Sequence, residues 1–190
     1  MKLLSISACA AVAAGLSVIG AQASAAPGDA AFKAFRSVCG ETQGDFDAVQ
    51  AASNTQGWKN TDVHATPMNG VTVSDELSRT KQVDGKDLTL MATRGTTRDG
   101  TGVSTCTVYA DKSALAGVRA AAQKWMGFAP NGGSDASSSS FHFTADGGKL
   151  KPVDTQADMN AAATGPNGMR VLNIKLANDQ TVIDEIKIKK

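Results

Sequence analysis

A chain of 190 residues with 19 Lys and Arg against 18 Asp and Glu carries a formal charge of +1. It has no basic run able to neutralise a row of phosphates, which argues against nucleic acid as a partner. Its length suits one domain.

The N-terminus reads as an export signal. Lys2 supplies the positive start, and the run from Leu3 to Gly20 carries no charge. Ala23-Ser24-Ala25 then offers the small-residue pattern that signal peptidase cleaves, with Ala21-Gln22-Ala23 as a competing site. Cleavage after Ala25 is expected, making residues 1–25 a signal peptide and 26–190 a single α+β domain. That form holds about 165 residues, destined for the periplasm or for secretion, with no transmembrane segment expected. The Ala, Gly and Ser content of the run favours removal over anchoring. Ile6-Ser7-Ala8-Cys9 has the small residues of a lipobox, but too few apolar residues precede Cys9 for a working leader. Loss of the leader removes only Lys2, leaving 18 basic and 18 acidic residues. The basic cluster Lys187, Lys189 and Lys190 reads as the outer face and end of a last strand, with no function assigned.

Two cysteines then remain, Cys39 and Cys106. In an oxidising compartment an isolated pair is expected to bond. A nucleophilic or redox role needs a base or a C-x-x-C spacing, and neither lies near these residues.

The mature chain opens with two short apolar-periodic segments. Phe32, Phe35 and Cys39 recur at helical spacing, and Phe46, Val49 and Ala52 do so again behind Asp45, a good N-cap. Together they predict a helical hairpin with Cys39 buried at the corner and Gly57-Trp58 at the exit. From Lys59 to Val73, with Pro67 and Asn69-Gly70, a surface excursion is expected, with a brief extended piece at Val71-Thr72-Val73. Sheet is expected from about Arg79, with a hairpin at Asp84-Gly85 and Leu88, Leu90 and Ala92 on one face. After a turn over 96–102, Val103 to Ala110 reads as a strand with Ser104, Cys106 and Val108 on the side opposite Val103, Thr105, Thr107 and Tyr109. A bond to Cys39 requires the Cys106 side to face the helices.

Asp111 caps the clearest helix, whose stripe runs Leu115, Val118, Ala122 and Trp125 with Met126 beside it and Gly127 and Pro130 at its end. Residues 131–140 read as a flexible, low-complexity loop, a candidate divider between two halves of the domain. Another hairpin is expected around Asp146-Gly147-Gly148, with Phe141 and Phe143 alternating, then a turn or two of helix over 154–163. A long terminal hairpin about Asn178-Asp179 places Leu172, Ile174 and Leu176 on one face, with Ile186 and Ile188 as its counterpart. That alternation would bring Asp184 inward, a conflict that a bulge or a late strand start would remove. Six Asn-Gly or Asp-Gly dipeptides predict antiparallel connections. The fold class is therefore α+β: an N-terminal helical hairpin and a central helix on a mostly antiparallel sheet of about six to seven strands, in a doubled plan without a residue-level repeat.

Chemistry-bearing constellations are scarce. His64 and His142 have no second ligand at metal spacing. Ser104 sits in no nucleophile elbow, and serines 137–140 fall in the loop. Asp75-Glu76 and Asp184-Glu185 are adjacent pairs, and adjacent side chains of a strand point to opposite faces. No catalytic, cofactor-binding or metal-binding residue is assigned, and no cofactor is expected.

The residues Phe35-x-x-x-Cys39, Thr42-x-x-Asp45 and Gly57-Trp58 resemble a segment of a group of uncharacterised small exported, signal-peptide or lipoprotein-type proteins of alphaproteobacteria. In these a similar segment follows the leader and a later cysteine lies in a strand. The resemblance covers about the first third of the mature chain plus Cys106; it implies an envelope location and transfers no catalytic residue. A non-enzymatic envelope protein that binds a protein or small molecule is the leading expectation. One alternative is a hydrolase whose site gathers His64, Asp75, Glu76 and His142 only in the fold, and the other is a structural subunit of an envelope complex.

Overall fold

The computed structural model describes residues 28–64 and 69–190. The expected leader, Cys9 and the cleavage position lie outside them. In chain order the elements are α1 (Asp29–Phe35), a π-helical turn (Arg36–Gly40), α2 (Phe46–Thr55), β1 (Lys59–Asn60), β2 (Val71–Val83), β3 (Lys86–Thr97) and β4 (Gly102–Asp111). A 3-10 turn (Lys112–Ala114) leads into α3 (Leu115–Met126), followed by β5 (Ser138–Asp146), β6 (Lys149–Pro152), α4 (Gln156–Thr164), β7 (Met169–Ala177) and β8 (Gln180–Lys189).

The strands form one sheet in the order β1-β2-β3-β4-β8-β7-β5-β6, every pair antiparallel. The last strands of the two halves, β4 and β8, meet in the middle, and the leading helices α1 and α3 contact each other over the sheet, α1 on β4 and α3 on β7. Short turns make this possible. Asp84 and Gly85 take φ of 50° and 73°, and Asn178 and Asp179 take 50° and 59°, the left-handed values that let a two-residue loop follow the twist of its strands.

The expectation of α+β with antiparallel strands stands, but the described residues form eight strands rather than six or seven. β1 is two residues long and pairs only with Arg79 and Thr80, too short to leave a periodic trace. β2 begins at Val71, not near Arg79, and its register shifts between Val73 and Asp75. Its first half buries nothing, so its Thr, Ser and acidic residues read as loop. The two N-terminal helices dock separately, α1 on α3 and β4, α2 on β3 and β4, and are organised by the sheet more than by each other. Asp45 caps α2 as expected, accepting from Ala48 N at 3.0 Å.

Residues 131–140 are knit rather than loose. Asp135 accepts from the backbone of Ser137 and Ser138, Arg119 donates to Ala136 O at 3.1 Å, and Ser138 to Ser140 belong to β5. Composition suggested a divider because polar side chains bury little apolar area; here they satisfy the backbone instead. The sheet runs unbroken across both halves.

The core lies between α1, α2 and α3 and one sheet face, which carries Leu88, Leu90, Ala92, Cys106, Val108, Leu172, Ile174 and Ile183. Ile186 and Ile188 are on the opposite face, contrary to the expected pairing with Leu172 and Ile174. β8 pairs without a bulge, so Asp184 does share a face with Ile186, and that face is the one away from the core. The inward residues are Ile183 and, two positions on, Glu185. Lys187 follows in the same parity and is half-buried, while Lys189 and Lys190 are exposed at the strand's end.

Candidate functional site

The π-helical turn is pinned to the sheet at consecutive residues. Cys39 bonds Cys106 with an S–S distance of 2.01 Å, and both are wholly buried. The next residue, Gly40, accepts at its carbonyl from Arg170 Nη2 at 3.1 Å. Register places these contacts together: Cys106 lies opposite Glu185 on β8, Leu172 on β7 faces Glu185, and Arg170 faces Phe143 on β5. Arg170 Nε donates to Glu185 Oε1 at 2.6 Å, Nη2 bonds the same oxygen, and the guanidinium carbon lies 4.9 Å from the Phe143 ring centre.

Arg170 is 1% exposed and Glu185 0%. Two charges removed from water are tolerated only when each is paired and hydrogen-bonded, and Oε2 of Glu185 finds no hydrogen-bond partner. Burial pushes the Glu185 carboxyl up from 4.5 to about 7, against the charge and hydrogen bonds of Arg170 and the weaker pull of Lys187.

Above this pair lie the aromatic side chains of the helices. Trp125 on α3 sits edge-on to Phe143 at 6.5 Å and to Phe32 of α1 at 5.9 Å. A Cβ at position 40 would stand 3.0 Å from Trp125 Cη2, so glycine there lets the indole lie on the π-helical turn. Two hollows meet at Arg36 and Trp125, which line both. The larger, about 690 Å³, runs between α1 and α3 with Lys33 and Lys124 on its walls. The smaller, about 240 Å³, reaches down to Arg170 beside Glu41 and Gln43.

The opposite sheet face holds a separate hollow of about 360 Å³ around Asp184 and Tyr109. Thr107 Oγ1 donates to Asp184 at 2.8 Å, and Thr93 and Thr105 share a hydroxyl bond of 2.8 Å. Burial raises the Asp184 carboxyl above the usual carboxylate range, and burial followed by the Asp184 charge raises the Tyr109 phenol. Asp184 and Glu185 thus serve opposite faces, as adjacent strand residues must.

The residues named for a hydrolytic site do not assemble. His64 Nδ1 is 3.5 Å from Glu76 Oε1, but the histidine side chain is 85% exposed. Asp75 is held by Arg94 Nε at 2.9 Å, and Arg94 also bonds Asp47 at 2.9 Å. His142 is five strand steps from β2, roughly 24 Å at the usual spacing. It packs beneath Gly132 with Nδ1 buried and without a hydrogen-bond partner. Ser104 donates to Gly44 O at 2.8 Å, a structural bond. No group of three or more His, Cys, Asp or Glu among the described residues is placed to hold a metal ion, and no helix among them is long and apolar enough to cross a membrane.

Arg170 and Glu185 were missed from sequence, although the signal was present. Arg170 shares its parity with Leu172 and Ile174, and Glu185 with Ile183, which puts one opposite charge on the core face of each strand of a single hairpin.

No protein-family model, curated protein or solved structure matches the chain.

Proposed function

We propose that the chain is an exported envelope protein that acts by binding, without chemistry of its own, and that the paired hollows at Arg36 and Trp125 form its binding groove. One observation carries this reading. The largest concavity among the described ones is floored by aromatic rings and abuts a buried charged side chain that a disulfide-anchored turn holds in place. Ligand sites combine an apolar surface with a few fixed polar groups in this manner. An envelope location rests on the leader-like N-terminus and the resemblance of the Phe35 to Trp58 segment, and the cysteine pair suits an oxidising compartment. The hydrolase alternative draws little support from geometry: His64 meets Glu76 only at the exposed surface, Asp75 is held by Arg94, and His142 lies five strands away.

Ala120 is exposed on the groove wall, so Ala120→Trp fills the larger hollow without entering the core. Native mass spectrometry of the protein purified from its own envelope extract is expected to show a retained small molecule that the Ala120→Trp variant lacks. Identical spectra, with or without an adduct, refute the groove as the binding surface.

A further inference from the structure

The walls of the groove are unequally charged in a chain whose expected mature form is neutral. Lys33, Arg36 and Lys124 line the larger hollow and Arg170 the smaller, against two carboxylates, Asp29 and Glu41. Arg36 shares Glu41 at 3.5 Å, a pair whose side chains are 50% and 60% exposed. Lys33 and Lys124 carry no ion pair among the described residues. Exposed, loosely held cations around an aromatic floor bias the groove toward anions.

Building on the groove as the binding surface, we infer that its ligand is a small organic carboxylate with an apolar body, the body lying on Phe32 and Trp125 and the carboxylate meeting Arg36 with Lys124 or Lys33. Arg36 is central because it lines both hollows, and a guanidinium offers two parallel donors matched to a carboxylate. A free inorganic anion would leave the aromatic floor wet. A neutral apolar molecule would leave Lys33 and Lys124 without a counter-charge. Arg170, already committed to Glu185 and Gly40, bounds the site from below and keeps the indole-bearing wall in place.

The test uses tryptophan emission. The chain has two tryptophans, and Trp58 lies buried beneath Lys81, away from the groove, so Trp58→Phe leaves Trp125 as the sole reporter. Octanoate is expected to change Trp125 emission saturably, while 1-octanol and inorganic phosphate bind at least tenfold more weakly. Arg36→Gln with Lys124→Gln, both at exposed positions, should weaken octanoate about tenfold and leave octanol unaltered, and added salt should mimic this loss. Calorimetric titration of the wild-type protein with the same three probes supplies the answer if Trp58→Phe fails to fold. Octanol binding as tightly as octanoate, phosphate binding as tightly as either, or a double variant with undiminished octanoate affinity overturns the ligand class. Binding of octanol that Ala120→Trp abolishes, without any preference for octanoate, sinks the carboxylate while keeping the groove. Silence from all three probes, with no Ala120→Trp effect on retained molecules, sinks both.

Discussion

Replacing Arg170 by Met tests the arrangement at the base of the groove most directly. The substitution keeps the length of the side chain and removes its charge and donors, so Glu185 loses both bonds to Oε1 while its Oε2 already has none. Removing one member of a buried ion pair costs about 3–5 kcal/mol, because the remaining charge must stay unpaired or take up a proton. Against a net stability of about 5–15 kcal/mol that is a large fraction, and in a domain of this size it lowers Tm by roughly 6–20 °C. The Gly40 carbonyl is not orphaned, since Gln43 N still donates to it at 3.2 Å. The cost therefore resides in Glu185, and Arg170→Met with Glu185→Leu should recover most of it, to within about 1 kcal/mol of wild type. Urea unfolding followed by circular dichroism at pH 7.5 and at pH 5 gives both numbers. The single variant should be less impaired at pH 5, where Glu185 accepts a proton cheaply. A loss under about 1 kcal/mol at pH 7.5 refutes the buried pair, and a double variant no better than the single one would mean that Arg170 acts by holding the π-helical turn rather than by neutralising Glu185.

The remaining tests address the staple and the titrating groups. Replacing Cys39 and Cys106 together by Ser opens a loop of 67 residues and should cost about 4 kcal/mol in the loop-entropy account, read as a lower denaturation midpoint with little change in far-UV signal; unchanged stability would show the staple to be idle. Glu185 has a folded pKa raised above its unfolded one, so its contribution to stability is complete below about 4.5 and is lost as the pH rises through about 7. That loss amounts to about 3 kcal/mol, and Glu185→Gln should flatten the curve of stability against pH between those limits; a wild-type curve that climbs across this window contradicts the assignment. Tyr109 is the one tyrosine of the chain, so its phenolate absorbance titrates alone. Asp184→Asn should lower its pKa while leaving it above the ordinary value, because burial, the larger cause, persists; an unshifted titration would separate the two residues.

What the sequence disclosed and what it hid follow from one physical distinction. Local rules reached the caps, the glycine turns, the α3 stripe and both sides of β4, since each depends on residues within a few positions of one another. The pairing of Cys39 with Cys106 was legible too, because only two candidates remained after the leader. The groove was not, for its parts come from α1, the π-helical turn, α3, β5, β6 and β7, and nothing local to any of them announces the others. In β8 the two alternating sets of residues compete for the core face. By hydrophobicity, two isoleucines outweigh a single carboxylate, which puts Ile186 and Ile188 on the core face and makes Asp184 the anomaly. The fold resolves the anomaly in the other direction: the opposite charge on β7 makes Glu185 the inward acid, and the isoleucines share the far face with Thr105, Thr107, Tyr109 and Asp184. Hydrophobicity alone thus selects the wrong side of β8, because a buried ion pair spans the hairpin: Glu185 and its cross-strand base Arg170 belong to the core face together.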